Sequence, residues 1–129
     1  MIAVIDASVA VVLLVDPSAG ELSSELGRYQ GLAAPSHLDL ECLSALRRTR
    51  LKGRISSGQH RALANDIARL PVTRHPISPL AHRITDLTDN ATVYDAAYIA
   101  LAEGLEADLL TADARLAGVP GIRCRVRML

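Results

Sequence analysis

The sequence predicts an α/β fold in which a mostly parallel sheet of four or five short strands lies between two layers of helices. Short apolar segments alternate with longer segments of helical periodicity along the chain, as in domains built from parallel strands and crossover helices. The first segment is apolar at every position, which is typical of a buried central strand. Half of the 129 residues are hydrophobic and none is Phe or Trp, so we expect a core of aliphatic side chains.

Capping and stop signals set the boundaries of the elements. The predicted strands are residues 1–5, 32–34, 72–74, 107–110 and 122–126, the last at an edge of the sheet. The predicted helices are residues 9–15, 19–29, 37–51, 56–70, 78–87, 92–104 and 114–117. Residues that favour a helix start precede or begin them, namely Asp6, Ser18, Ser36, Ser56 or Ser57, Ser78 and Thr92. Residues that end a helix follow or close them, namely Pro17, Gly31, Gly53, Pro71 and Gly104.

Bulk composition limits the possible functions. The formal net charge is zero, which excludes a polycation that binds nucleic acid by bulk charge alone. Cys42 and Cys124 are too few and too far apart for a disulfide framework or a zinc site, as expected of a cytoplasmic protein. No apolar run approaches the ~18 residues of a membrane-spanning helix. We therefore expect a single domain over residues 1–129 that has no contact with a membrane.

Four acidic residues lie where a predicted strand ends or in the first turn of a predicted helix. They are Asp6 in VIDASV, Glu41 in LDLECL, Asp95 in TVYDAAY and Asp113 in LLTADARL. The carboxyl ends of parallel strands share one edge of a sheet, where open α/β folds carry their chemistry. Carboxylates gathered there repel one another unless a cation lies among them. Mg²⁺ and Mn²⁺ prefer oxygen ligands, so the pattern indicates a metal-dependent phosphodiester hydrolase.

Each acid also has a purely structural explanation. Asp6 and Asp113 suit helix N-caps, and Asp95 completes a capping-box pattern that Thr92 begins. Glu41 lies at the border of the apolar face of its helix, where either Arg48 or a metal ion is expected to neutralise it. The helix after Asp95 is apolar almost all round and therefore central, which directs this acid toward the sheet edge. Taken together, the four positions favour a metal site.

Other catalytic arrangements fit the sequence less well. The four histidines are scattered, and none is expected to pair with an acid at helical spacing as in a metalloprotease. A dehalogenase-type phosphatase needs two acids after its first strand, whereas here the residues are Asp6, Ala7 and Ser8. A receiver domain needs a lysine at a strand end, and the only lysine, Lys52, ends a helix. No glycine-rich nucleotide-binding loop is present.

The chain resembles the PIN-domain ribonucleases, and more narrowly the VapC-type toxins of bacterial toxin–antitoxin pairs. The segments VIDASV, LDLECLSALRR, TVYDAAYIALAE and LLTADARLAG resemble the four signature segments of this family in the right order. The resemblance implies a PIN-like fold and an Mg²⁺- or Mn²⁺-dependent endoribonuclease. It makes Asp6, Glu41, Asp95 and Asp113 the metal-binding acids. It gives Ser8 and Thr111 as the auxiliary polar residues.

The resemblance also implies partners. Members of this family are usually homodimers and are inhibited by a cognate antitoxin whose C-terminal segment enters the active-site groove. The RNA is a tRNA, an rRNA or an mRNA. The leucines of the first two predicted helices supply either an interface for such a partner or ordinary core. These are Leu13, Leu14, Leu22 and Leu26.

The substrate and the number of metal ions are less defined. Some relatives carry a further acid after the last motif aspartate, where this chain has Arg115, so we expect one firmly held ion and a second that arrives with substrate. Arg47 and Arg48 are the basic residues nearest the acids and are the candidates for RNA phosphate contacts, unless they only favour the helix C-terminus. A PIN-like module that binds RNA or protein without cleavage, and a hydrolase of small phosphate esters, remain alternatives.

Overall fold

A five-stranded, wholly parallel sheet forms the centre of the protein in the computed structural model, which describes residues 1–129. The strands are β1 (Ile2–Ile5), β2 (Gly31–Pro35), β3 (Val72–His75), β4 (Asp108–Thr111) and β5 (Val126–Met128). Their order across the sheet is β3-β2-β1-β4-β5, and every neighbouring pair is parallel. The predicted α/β class with a central parallel sheet is confirmed.

Seven α-helices connect and cover the strands. They are α1 (Ala7–Val15), α2 (Gly20–Leu26), α3 (Leu38–Leu51), α4 (Ser57–Asp66), α5 (Ala81–Leu87), α6 (Val93–Gly104) and α7 (Ala114–Ala117). Two short 3-10 turns, Ile67–Arg69 and Ser78–Leu80, occupy the end of the fourth and the start of the fifth predicted helix. No helix is both long enough and apolar enough to cross a membrane.

The core lies around β1 and α6. Ala3, Val4 and Ile5 of β1 have no exposed surface, as expected of the central strand. All seven residues of α6 from Ala96 to Ala102 are buried, which confirms that this helix is central. Because alanine dominates the buried face of α6, the helix can pack closely on the sheet. This packing fixes the start of α6, where Asp95 lies.

The helix caps differ from the prediction at two serines. Ser36 does not cap α3, which begins at Leu38 with His37 in the cap position and no side-chain cap. Ser36 and Asp39 have the spacing of a capping box, but Asp39 accepts two hydrogen bonds from Arg74, whose guanidinium also donates to three backbone carbonyls. A charged donor outcompetes a backbone N–H for the carboxylate. Ser18 likewise bonds to a neighbouring aspartate rather than capping α2.

The last strand also starts later than predicted. Residues 122–126 were expected to pair with the sheet, but β5 is Val126–Met128. The backbone N–H of Arg123 donates to Glu103 of α6 at 2.7 Å, and the first backbone bond between this segment and β4 is the one from the N–H of Leu109 to the carbonyl of Arg125.

The leucines of the first two helices pack on the core to different degrees. Leu14 is buried, and Leu13, Leu22 and Leu26 are partly buried against the core.

Candidate active site

Two strand ends meet where the chain changes side in the sheet. β1 lies between β2 and β4, and the chain adds β2 and β3 on one side before β4 and β5 on the other. Parallel α/β sheets bind ligands in the crevice at such a switch point. Asp6 directly follows β1 and Asp113 lies two residues after β4, so both acids flank this crevice.

Asp6 is a buried carboxylate held by two hydroxyl groups. Its Oδ1 accepts a hydrogen bond from Ser8 Oγ at 2.6 Å, and its Oδ2 accepts one from Thr111 Oγ1 at 2.5 Å. Asp6 also caps α1 by accepting from the N–H of Val9 at 3.2 Å. Burial raises the pKa of Asp6 above its ordinary value, although these donors partly offset the effect. The cap prediction for Asp6 is therefore right, but the cap is only one of three contacts.

The same two hydroxyl groups join the ends of β1 and β4. Ser8 Oγ accepts a hydrogen bond from the N–H of Ala112, and Thr111 Oγ1 accepts one from the N–H of Asp113, both at 2.9 Å. Each hydroxyl thus donates to Asp6 and accepts from the segment that leads to Asp113. The predicted auxiliary residues Ser8 and Thr111 lie directly at Asp6.

Asp113 carries an internal counter-ion. It caps α7 by accepting from the N–H of Arg115 at 2.9 Å. The guanidinium of Arg115 donates to both carboxylate oxygens, at 2.9 Å to Oδ2 and 3.3 Å to Oδ1. These hydrogen bonds hold the pKa of Asp113 below its ordinary value. The side chain of Arg115 is 84% exposed, so nothing but Asp113 fixes it in place.

Glu41 contacts Tyr98 and His37 and not Arg48, the side chain that the sequence predicts as its alternative to a metal ion. Its Oε1 accepts a 2.6 Å hydrogen bond from the hydroxyl of Tyr98, and His37 Nε2 lies 3.3 Å from the same oxygen. Arg48 makes no ion pair with Glu41 and instead donates to Ser44 at 3.0 Å. Burial favours the neutral acid, but the contacts with His37 and Tyr98 outweigh it and lower the pKa of Glu41.

The histidine prediction is therefore wrong. His37 and Glu41 are four residues apart, which places them on one face at the start of α3. His82 and Asp86 form a second, exposed pair at the same spacing. His37 Nε2 also lies 3.1 Å from the backbone carbonyl of Tyr94, while its Nδ1 is buried without a hydrogen-bond partner. This spacing is visible in the sequence, whereas Tyr98 reaches Glu41 only because the tertiary structure brings its side chain to the start of α3.

The charges of the four acids influence one another in pairs, and we call the four residues the acidic quartet (Asp6, Glu41, Asp95 and Asp113). Besides burial, the negative charge of Asp113 contributes to the raised pKa of Asp6, and the negative charges of Glu41 and Asp113 contribute to the raised pKa of Asp95. Burial and these two negative charges raise the pKa of Asp95 above its ordinary value. Asp95 therefore experiences the negative charge of both Glu41 and Asp113.

The acidic quartet fits a hard divalent cation in its chemistry. It offers only carboxylate oxygens, and burial, with a smaller contribution from mutual repulsion, raises the pKa of Asp6 and of Asp95, as expected where a cation is needed. In this structure no three acidic, histidine or cysteine side chains are grouped closely enough to share an ion. The protein's own donors contact the carboxylates of Asp6, Glu41 and Asp113 instead, and Arg115 supplies the positive charge at Asp113.

A groove of about 580 Å³ opens beside the acidic quartet, between α1 and α3. Ser8 and Glu41 line it on the side of the acids, and Arg48 lies further along α3. Tyr94, in the first turn of α6, lines it near His37. Of the two predicted RNA-binding arginines, Arg48 faces this groove; Arg47 is exposed and does not line it.

Sequence comparison finds a matching family model and curated relatives that agree with each other. A family model described as the PIN domain matches residues 3–122, a range that contains the acidic quartet. Ribonuclease VapC12 of Mycobacterium tuberculosis is 36% identical over 126 residues, which cover 98% of both chains. Ribonuclease VapC1 of the same organism is 43% identical over 97 residues, covering 74% of this chain and 73% of the relative.

Solved structures share the fold at lower sequence identity. A chain of the VapBC2 complex of Rickettsia felis, bound to a DNA fragment from its promoter, matches with a TM-score of 0.73 at 12% identity, covering 99% of this chain and 98% of that one. VapC20 of Mycobacterium tuberculosis, a toxin that cleaves the sarcin–ricin loop, matches with a TM-score of 0.64 at 13% identity, covering 95% and 98%.

Proposed function

Because the chain belongs to the PIN-domain family of VapC ribonucleases, the toxins of VapBC toxin–antitoxin systems, we propose that it hydrolyses RNA at the acidic quartet with the aid of Mg²⁺ or Mn²⁺. The observation that carries this proposal is the double hydroxyl link at Asp6. Ser8 and Thr111 fix a buried carboxylate and also hold the segment that carries Asp113. A plain helix cap needs neither link.

The quartet divides its roles by environment. Asp6, Asp95 and Asp113 would hold the divalent ion. An ion there supplies positive charge for the phosphate and makes a coordinated water more acidic. Glu41 stays ionised because His37 and Tyr98 lower its pKa, and both contacts go to Oε1. Its Oε2 is then left to orient the attacking water and to accept a proton from it.

RNA binding rests on local charge, since the net charge is zero. Arg48 lies two turns beyond Glu41 on α3, or ~10 Å along the helix, and both line the groove. We assign it to a phosphate next to the cleavage site, with Arg47 as a weaker second contact. This separation places the positive charge away from the carboxylates that would bind the ion.

A cognate antitoxin is the expected protein partner. The structural neighbours include a toxin–antitoxin complex from Klebsiella pneumoniae, with a TM-score of 0.60 at 18% identity. We propose that this chain forms a homodimer and that each copy binds one antitoxin.

The test of this function is the cleavage of total cellular RNA by antitoxin-free protein. We expect discrete fragments with Mg²⁺ or Mn²⁺ and none with EDTA or with Asp95→Asn. Asp86→Asn is the matched control, because Asp86 is an exposed aspartate whose only ion pair is with His82. Full turnover in Asp95→Asn would refute the assignment of the site. RNA binding without any cleavage, and with no sensitivity to EDTA, would favour a binding module instead.

A further inference from the structure

We propose that the groove beside Glu41 is a nucleobase subsite, in which an unpaired base of the RNA stacks on the ring of Tyr94 while Arg48 binds a neighbouring phosphate. This inference rests on the proposed function and adds the form of the substrate to it. An RNA that presents an unpaired base can enter such a subsite, whereas a continuous duplex cannot.

Tyr94 is the one tyrosine whose ring is available to a ligand. It is 62% exposed, and its hydroxyl has no hydrogen-bond partner in the structure. Tyr98 is fully buried and bonded to Glu41, and Tyr29 is bonded to Asp108. The chain contains no Phe and no Trp. If a base stacks on an aromatic ring of this protein near the site, Tyr94 is the residue that provides it.

The position of Tyr94 is fixed by a residue that also contacts the acidic quartet. Its backbone carbonyl lies 3.1 Å from His37 Nε2, and its ring centroid lies 6.0 Å from that of His37. Asp95 follows directly in the chain, and His37 contacts Glu41. A base on Tyr94 would therefore lie next to the carboxylates that we assign to the reaction.

The groove has the composition that a nucleotide needs. Its volume of about 580 Å³ is within the ~300–1,000 Å³ range of small-molecule sites. Ala7, Val11 and Ala45 give it small apolar walls against which a base can lie. Arg48 projects into it without a carboxylate partner, since its only side-chain hydrogen bond is to Ser44.

The charged residues of the groove indicate which of two ligands it binds, a nucleotide or an apolar protein segment. An apolar peptide would cover the apolar walls, but it would leave Arg48 unpaired at one end and the ionised Glu41 at the other. A nucleotide matches the walls and the arginine, since its base is flat and apolar on its faces and its phosphate is anionic, and a divalent ion bound at the acidic quartet would offset the negative charge of Glu41. The charge pattern therefore favours RNA in this groove.

The test compares base and backbone binding with short fluorescent oligonucleotides. The probes are an adenosine homo-oligomer and a ribose-phosphate oligomer of equal length without bases, measured by fluorescence anisotropy in EDTA at low ionic strength. We expect the wild-type protein to bind the adenosine oligomer more tightly. Tyr94→Ala should bind the adenosine oligomer about tenfold more weakly than the wild type does, because stacking requires a base. Its affinity for the abasic oligomer should equal that of the wild type. Tyr94→Phe should keep the wild-type affinity.

Arg48→Gln provides the complementary result. This variant should bind both oligomers more weakly, by the same factor, because a phosphate contact does not depend on the base. Arg69→Gln is its control, since Arg69 is 84% exposed and pairs only with Asp66.

Three results would overturn the subsite. The first is equal affinity of the wild-type protein for the two oligomers. The second is a Tyr94→Ala variant that binds the adenosine oligomer as tightly as the wild type does. The third is a Tyr94→Ala variant that loses the same affinity for both oligomers. If Tyr94→Ala kept its affinity for RNA but bound the co-purified antitoxin more weakly, the groove would be a binding site for the antitoxin and not for a base. Because anisotropy in EDTA requires no catalysis, failure of the subsite is separable from failure of metal-dependent cleavage.

Discussion

The hydroxyl of Tyr98 donates a 2.6 Å hydrogen bond to Oε1 of Glu41 and so joins the buried helix α6 to the carboxylate at the start of α3. We predict that Tyr98→Phe keeps the fold, because the ring stays in the core, but raises the pKa of Glu41. More Glu41 is then protonated at mildly acidic pH, so the acid limb of the cleavage profile moves to higher pH. The measurement is kcat against pH for both proteins.

The same substitution changes the dependence of stability on pH. The folded-state pKa of Glu41 lies below its ordinary value of 4.5, so its ionised form stabilises the fold above pH 4.5 and this contribution is lost as the pH falls through the folded-state pKa. The free energy of unfolding of the wild type should therefore be larger than that of Tyr98→Phe at neutral pH. The difference between the two proteins should become smaller below pH 4.5.

Tyr29→Phe is the matched control for Tyr98. It removes a hydroxyl that donates to Asp108 at 2.8 Å, away from the acidic quartet. It should lower stability without moving the acid limb of the cleavage profile. An acid limb that moves equally in both variants would show that Tyr98 acts through general stability and not through Glu41.

Thr111→Val tests the hydroxyl link between the two strand ends. The substitution keeps the shape of a fully buried side chain but removes the donor to Asp6 and the acceptor for the N–H of Asp113. Leaving buried polar groups unpaired costs ~1–3 kcal/mol, and we expect a loss of unfolding free energy in this range. We also expect weaker metal binding, because Asp6 is no longer fixed. Calorimetric titration with Mn²⁺ measures it, with Thr85→Val on an exposed helix as the control.

Arg115→Gln tests whether an internal cation competes with the metal. Arg115 binds both oxygens of Asp113, so an ion must displace it or share the carboxylate. Without the guanidinium, Mn²⁺ affinity measured by calorimetry should rise a few-fold, as expected for loss of an exposed ion pair. The unfolding temperature should stay unchanged. Arg69→Gln, equally exposed at 84%, is the control, and weaker Mn²⁺ binding by Arg115→Gln would contradict the competition.

The sequence is sufficient for the parts of the site that depend on the order of elements. Asp6 and Asp113 follow the ends of neighbouring parallel strands, so topology alone brings them to one edge. Asp95 is placed by the burial of α6, which its apolar pattern predicts. These positions follow from local patterns and from the rule that strand ends share an edge.

The partners of the acids depend on packing and are not visible in the sequence. Tyr98 and Glu41 are 57 residues apart and meet only because the tertiary structure brings the Tyr98 side chain to the start of α3. The contact of Arg74 with Asp39, over 35 residues, depends on the tertiary structure in the same way. By contrast, the pairing of His37 with Glu41 is a local helical spacing that the sequence does contain. The role of the acidic quartet in holding an ion stays a prediction.

Asp6→Asn is expected to separate stability from activity. Burial raises the pKa of Asp6 above its ordinary value of 3.8, so the ionised carboxylate costs folding free energy, and this cost grows as the pH rises from 3.8 through the folded-state pKa. A neutral amide of the same shape avoids this cost. In EDTA at neutral pH, Asp6→Asn should therefore unfold at a higher temperature than wild type, and at a similar temperature in acid.

We predict that metal reverses this order. Mg²⁺ or Mn²⁺ should bind the folded state and stabilise wild type by mass action, whereas Asp6→Asn, which lacks one of the carboxylates, should gain little and should not cleave RNA. Thermal unfolding of both proteins with EDTA and with a series of Mn²⁺ concentrations measures the effect, with Asp86→Asn as the exposed control. An equal rise in unfolding temperature for both proteins would place the ion away from Asp6. A lower unfolding temperature of Asp6→Asn in EDTA would mean that the hydrogen bonds from Ser8 and Thr111 outweigh the cost of burying the charge.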